Sequence, residues 1–231
     1  MTCQPAQQCG KRSMEIFMKV QFTVLWVLFL LFATPAWALG EKAKIGQPAP
    51  DFTVQTIDGK VAHLKDYAGK NIVLEWYSSI CPCCNGHYTT GSMQALQKKY
   101  TAQGVVWLTI SSHAPGTEGS LDPALAKSKI LKDYKATPTA ILLDHDGKMG
   151  TDYGASSTPE VYLINAEGNL VYKGALDNKA DDGETYSPLT SRNFLAEALE
   201  ATLSHQKVKV AVTQSYGCDI KFPVNDYTLK N

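Results

Sequence analysis

From Ile45 onward the apolar and polar positions change period several times, and each change marks an element. "DFTVQTIDGKVAHL" carries two short strand-like runs on either side of Asp58-Gly59, a pair suited to a tight turn, and predicts a β-hairpin. Residues 71–77, "NIVLEWY", form a continuous apolar run of strand length broken by one acid, as in a central strand buried on both faces. Residues 84–103 then read as a helix, weakened by Gly86 and Gly91 and stopped at Gly104. "VVWLTIS", residues 105–111, predicts a second buried strand, and "HAPGTEGS" a loop. Asp122 is placed to cap a helix with Pro123 at its first position, and Leu125, Leu131 and Tyr134 are expected to line its buried face.

"TAILLD", residues 139–144, is a short strand followed by the turn "HDGK". "EVYLIN" and "LVYKG" flank "AEGN" and predict an antiparallel pair. Phe194, Leu195, Ala198, Leu199, Thr202 and Leu203 recur at helical spacing. The order is hairpin, then β-α-β-α-β, then a hairpin and a helix. Strands alternating with helices predict an α/β fold, a three-layer α/β/α sandwich with an N-terminal β-hairpin. The domain is expected over residues 45–206. A C-terminal tail, 207–231, lacks helical period and carries Cys218. Residues 175–190 are polar and Asp-rich and read as a long surface loop that could act as a lid.

The N-terminus breaks this pattern. Lys19 precedes a nearly unbroken apolar run over residues 22–33, followed by Pro35 and "AWA". That is the layout of a secretory signal with cleavage after Ala38. The run is about a dozen residues, against about 20 needed to span a bilayer. Residues 1–38 are therefore expected to be a removed signal peptide, leaving an exported, periplasmic or extracellular protein with no stable membrane span. Residues 1–17 sit awkwardly before the signal, so the start is open between Met1, Met14 and Met18. Cys3 and Cys9 belong to this region and drop out of the site.

Charge narrows the function by exclusion. Lys and Arg number 22 and so do Asp and Glu, a balance that does not point to nucleic acid or a strongly charged partner. Of six cysteines, Cys81, Cys83, Cys84 and Cys218 remain after the leader, too few to scaffold a chain long enough to bury its own core. Their expected role is chemical.

Three of them crowd into "CPCC" at a strand-to-helix junction. A cysteine capping a helix faces unpaired N–H groups that favour thiolate, and a second one turn later lies within bonding reach. Pro82 fits the first turn because its missing N–H has no partner to lose there. One sulfur attacks, and the other resolves the mixed disulfide. No organic cofactor is implied, since the dithiol is its own redox couple. As metal ligands the chain offers Cys81, Cys84 and His87 close together, which suits copper(I) better than zinc. His87 itself reads as a solvated or capping residue. Trp76 and Tyr77 are expected to divide between packing and the rim of the site.

The stretches "GQPAPDFTVQTIDGK", "GKNIVLEWYSSICPCC" and "STPEVYLINAEGNLVYKG" resemble the thioredoxin-fold redoxins. They are most similar to the branch holding alkyl hydroperoxide reductase/thiol-specific antioxidant proteins and exported thioredoxin-like reductases. With "GVVWLTI" and the late "YGC", the whole set looks like a peroxiredoxin-like thioredoxin family. The resemblance implies a thioredoxin-like fold and an exported thiol–disulfide oxidoreductase acting on thiol or disulfide substrates and fed by an upstream electron donor. It implies Cys81 as nucleophile, Cys84 as first resolving thiol, and Glu75, six residues before Cys81, as a buried proton relay.

It also implies a cis-proline opposite the thiols. Pro159 is favoured over Pro138 because it opens the antiparallel hairpin, and Thr158 before it would offer its backbone to an extended substrate segment. The alternative activity is a thiol peroxidase acting through Cys81. Ser78 fits that pattern three residues before Cys81, but Thr158-Pro159 stands where a peroxidase carries an Arg, and Leu74 stands where it carries a Pro. A further alternative is a copper-binding chaperone. Cys83 and Cys218 are additions to the thioredoxin pattern. Cys218 could resolve Cys81 or lock the tail to Cys83, and the two stay open.

Overall fold

A computed structural model of the chain describes residues 43–178 and 191–223. The expected signal peptide, and residues 179–190 of the expected loop, lie outside the described residues. One sheet is built from β1 (Thr53–Thr56), β2 (Val61–His63), β3 (Ile72–Trp76), β4 (Val106–Ser111), β5 (Ala140–Leu143), β7 (Glu160–Ile164) and β8 (Leu170–Gly174). These seven strands lie in the order β2-β1-β5-β4-β3-β7-β8. β3, β4 and β5 run parallel, and β7 runs antiparallel to β3. Helices cover the sheet: α1 (Pro82–Thr89), α2 (Ser92–Thr101), a turn at Pro123–Leu125 running into a wide-turn helix at Ala126–Asp133 (together α3), α4 (Lys148–Tyr153) and α5 (Phe194–Leu203). This is the expected thioredoxin-like sandwich, hairpin included. Among the described residues no helix is long and apolar enough to cross a membrane.

β3 is buried along its whole length, and its alternation divides the core. Ile72, Leu74 and Trp76 join the cluster on one face, with Leu108, Ile110 and Tyr162. Val73 and Tyr77 join the other, with Cys81, Cys84, Tyr88 and Trp107. Side chains at i and i+2 share a face, so Glu75 lies on the same side as the thiols. The β3–β7 register sets Trp76 opposite Glu160. That brings the residues just before β7 beside the segment that leaves β3.

Three expectations change. The single helix over 84–103 is two, broken at Gly91, whose φ of 79° is left-handed and starts α2 afresh. Asp122 does cap its helix, accepting from the amides of Ala124 and Leu125 at 2.7 and 2.8 Å. That helix then buries Ala126 and Ile130 while Leu125 and Leu131 are exposed. Its turn is wider than 3.6 residues, so a stripe drawn at α-helical spacing misses the core. The turn after β5 leads into α4, which short length and two glycines concealed. It is held by Asp144, whose buried carboxylate accepts from the amides of Met149 and Gly150.

The segment after α5 packs along the domain. Val212 bridges to Lys173, Cys218–Asp219 form a short strand, β9, paired with β6 (Ser157–Thr158), and Ile220 is buried in the core.

Gly91→Ala should destabilise the protein by about 1 kcal/mol through backbone strain alone, since a Cβ there meets nothing within 4 Å. Denaturant unfolding measures it, with an unchanged m-value expected.

Candidate active site

Cys81 is the N-cap of α1, with extended backbone (φ −70°, ψ 118°), Pro82 at the first helical position, and its carbonyl accepting the first helical bond from Asn85 at 2.9 Å. Cys84 lies one turn on. Both sulfur-bearing side chains are fully buried. Cys81, Cys84 and Cys218 are thiols, none in a disulfide.

The two sulfurs differ sharply in ionisation. The Cys84 thiol, donating to Cys81, is the largest influence, and with the Cys84 amide and the side chains of Thr158 and Cys218 it brings Cys81 down to about 4 against the opposing cost of burial. The Cys84 amide belongs to the first turn of α1, so the helix end contributes, but the Cys84 thiol is the larger influence on the sulfur. Cys84 moves the opposite way. Burial raises it well above an ordinary thiol, and its hydrogen bond to Cys81 and the charge of Cys81 raise it further. One proton thus stays on Cys84 while Cys81 is ionised.

Glu75 is fully buried and accepts from Tyr88 Oη at 2.7 Å, Trp107 Nε1 at 2.7 Å, Thr109 Oγ1 at 3.1 Å and Gln97 Nε2 at 3.4 Å. Burial raises its pKa in spite of these four donors, and its charge in turn helps raise Cys84. The expectation of a buried acid beneath the thiols holds in its geometry.

The Thr158–Pro159 peptide is cis, and Pro138 is not. Cys81 Sγ lies 2.9 Å from the Thr158 carbonyl oxygen, to which the thiol form donates. The turn ahead of Pro159 is clamped by Glu160, whose carboxylate accepts from the amides of Ser156 and Ser157 at 2.8 and 3.1 Å and from Tyr162 Oη at 3.1 Å. Glu160 escaped sequence reasoning because an acid starting an apolar strand reads as an exposed end.

The backbone edge of Thr158 is occupied by the chain itself. In β6–β9, Thr158 pairs with Cys218 and Ser157 with Asp219. Cys218 is pushed up to about 11, by burial first, then by its hydrogen bond to Cys81 and the charge of Cys81, then by Cys83 and Asp219. Cys218 thus lies across the β6–β9 pair from Thr158, whose carbonyl is 2.9 Å from Cys81 Sγ, with Cys83, half-buried, within electrostatic reach.

Other expectations shift. Trp76 and Tyr77 are both fully buried, leaving neither at a rim. Trp76 donates to Ser112 Oγ at 3.0 Å, and Tyr77 packs edge-on against Tyr88 with ring centroids 5.3 Å apart. His87 is buried, not solvated: Nδ1 meets Ser92 Oγ at 3.1 Å and Nε2 meets Tyr216 Oη at 3.0 Å. With both ring nitrogens engaged, His87 is no ligand beside the thiols. Among the described residues no group of three or more His, Cys, Asp and Glu is arranged to hold a metal.

Ser78 Oγ and His113 Nδ1 are buried without a hydrogen-bond partner, and both border Gly119. Burial and Lys221 lower His113, while Cys81 works the other way, so His113 stands within electrostatic reach of the sulfur. No sequence motif marked His113. Its position just past the C-terminal end of parallel strand β4, the edge where such sheets gather their sites, is the signal that was available. Arg192 lies just before α5, not within it, and is paired to Glu197 through two hydrogen bonds of 2.7 and 2.8 Å.

The AhpC/TSA family model matches residues 45–173. The chain is 29% identical over 132 residues to the thiol-disulfide oxidoreductase ResA of Bacillus thuringiensis subsp. konkukian, spanning 57% of this chain and 69% of that protein. It is 31% identical over 134 residues to a ResA of Bacillus cereus, spanning 58% and 70%. Among solved structures, an uncharacterized conserved protein from Geobacillus kaustophilus superposes with a TM-score of 0.68 at 24% identity, covering 79% of this chain and 94% of that one. A hypothetical protein from Sinorhizobium meliloti 1021 gives 0.65 at 23%, covering 80% and 98%. These two share the fold.

Burial of Glu75 has a measurable consequence. Its folded pKa lies above the ordinary 4.5, so the folded state holds a proton the unfolded state releases, and stability is lost as pH rises through that range. The melting temperature of Glu75→Gln relative to the native protein should therefore climb as pH is raised from about 4.5. A difference that is flat or falls with pH would place the carboxylate in contact with water.

Proposed function

Given that the chain belongs to the AhpC/TSA family, we propose that it is an exported thiol–disulfide oxidoreductase whose Cys81–Cys84 dithiol exchanges with disulfides of proteins or small thiols. The observation that carries this reading is Cys81 capping α1 with Cys84 one turn on, both buried and facing the cis Thr158–Pro159 turn, and the opposite displacement of the two thiols agrees with it. The relatives named thiol-disulfide oxidoreductases support it. The "MKVQFTVLWVLFLLFATPAWA" leader supports export, with residues 1–38 removed, 45–206 as the thioredoxin-like domain and 207–231 as its tail.

In the reducing direction, the Cys81 thiolate attacks one sulfur of a substrate disulfide. A Cys81–substrate bond forms, and the other substrate sulfur leaves as thiolate. Cys84 then gives its proton to Glu75, through water, and attacks Cys81 Sγ. The Cys81–Cys84 bond forms and the second substrate sulfur is released. The charge on Cys81 is gone in the mixed disulfide, which removes one of the influences that kept Cys84 protonated. An upstream donor of two electrons restores the dithiol. Read in reverse, the same steps oxidise a substrate. Thr158 would present its backbone to the extended substrate segment, with Pro159 fixing the edge.

A hydroperoxide could react at the same sulfur, with Ser78 beside it. That reading is weaker because Thr158 occupies the position where a peroxidase carries an Arg, and Arg192 is committed to Glu197. The copper reading loses His87 as a ligand.

Insulin disulfide reduction with a dithiol donor tests the proposal. Cys81→Ser should abolish turnover, and Cys84→Ser combined with Cys218→Ser should stop at a mixed disulfide on Cys81. Full activity in Cys81→Ser would overturn the assignment. Glu75→Gln should leave attack by Cys81 unchanged and slow resolution by about 10²-fold, as expected for a lost proton acceptor and read in single-turnover kinetics.

A further inference from the structure

The tail sits where a substrate strand would. β9 pairs antiparallel with β6, matching Thr158 to Cys218, on the one backbone edge that faces Cys81. Gly217 makes this approach possible. Its φ is 113°, and a Cβ there would collide with the Thr158 carbonyl oxygen. Both flanks are fastened. Ahead of Cys218, Tyr216 Oη donates to Asp177 at 2.5 Å and meets His87 Nε2 at 3.0 Å. Behind it, the Ile220 amide donates to the Ser156 carbonyl at 3.0 Å, the Ala114 amide donates to the Lys221 carbonyl at 2.9 Å, and Phe222 lies against Gly147 and Gly150. The seat holds a cysteine opposite Thr158, the residue whose carbonyl lies 2.9 Å from Cys81 Sγ.

We propose that Cys218 is a third redox-active thiol, the chain's own occupant of the Thr158 edge, and that it exchanges with Cys84 as the disulfide partner of Cys81. The inference rests on the reading of Cys81 and Cys84 as an exchanging pair. The step is an isomerisation. Cys218, as thiolate, attacks Cys81 Sγ in the Cys81–Cys84 disulfide, the Cys81–Cys218 bond forms, and the Cys81–Cys84 bond breaks. The electron pair goes to Cys84, which takes up the proton that Cys218 released. No sulfur is oxidised overall, so no outside reagent is needed. The consequence is a closed state in which the nucleophile is covalently capped and the docking edge is filled. A protein substrate reaches Cys81 only when β9 leaves β6, and Cys84 can reopen the site by the reverse exchange.

The test uses Cys83→Ser/Cys84→Ser, which leaves Cys81 and Cys218 as the site's thiols, oxidised with one equivalent of diamide and mapped by mass spectrometry. An intramolecular Cys81–Cys218 linkage should be the dominant product. Recovery of Cys218 as alkylatable thiol, with Cys81 in an intermolecular dimer, would overturn the proposal. In an otherwise native chain, Gly217→Val should push the tail off Thr158, lower the Cys81–Cys218 yield several-fold, and raise the rate of Cys81 alkylation by iodoacetamide several-fold. Unchanged values in both would show that β9 does not set the contact. Insulin reduction by the native protein keeps the two readings apart. Activity without the linkage sinks only the tail proposal, and the linkage without activity sinks the oxidoreductase reading and with it the exchange with Cys84, leaving Cys218 only as a partner of Cys81.

Discussion

The 2.9 Å approach of Cys81 Sγ to the Thr158 carbonyl is the contact on which the site depends. It joins residues 77 positions apart, and it exists because β3 and β7 pair with Trp76 opposite Glu160. A shift of one residue in that register would turn every β7 side chain to the other face and carry Thr158 away from the thiols. Buried apolar residues on both faces of β3 and β7 hold the register, so the core of the sheet is what aligns Cys81 with the Thr158 backbone.

Around that contact the protein separates charge over a few side chains. Cys81 gathers the Cys84 thiol and amide as donors, with the Thr158 carbonyl as an opposing acceptor, whereas burial disfavours the ionised forms of Cys84 and Glu75. Trp107, Tyr88, Thr109 and Gln97 all donate to the Glu75 carboxylate without exposing it. A carboxylate so placed weakens the fold when ionised, and under the proposed exchange it is the proton acceptor for the second sulfur.

Much of this was legible in the chain. The CPCC junction is a local pattern that sits where its spacing implied, and the single acid in "NIVLEWY" and Thr158-Pro159 sit where the resemblance to the redoxins implied. What escaped depends on contacts made late in the chain or on local geometry without a motif. The turn of α3 is wider than the period used to read it, so Ala126 and Ile130, not Leu125 and Leu131, face the core. His113 and Glu160 reach the site only through sheet topology. The tail has no periodicity because its placement comes from one close glycine contact, a two-residue strand and the His87–Tyr216–Asp177 chain of hydrogen bonds, none of which a period can reveal.

The central claim is that donors converging on one sulfur keep it ionised where its neighbours are not. Ultraviolet absorbance of the thiolate in the reduced protein, followed against pH and assigned by comparison with Cys81→Ser, measures it directly. The account predicts a midpoint for Cys81 far below the ordinary 9.0, toward about 4, moving upward when the Cys84 thiol is removed. A midpoint near 9.0, unmoved by the loss of Cys84, would contradict it.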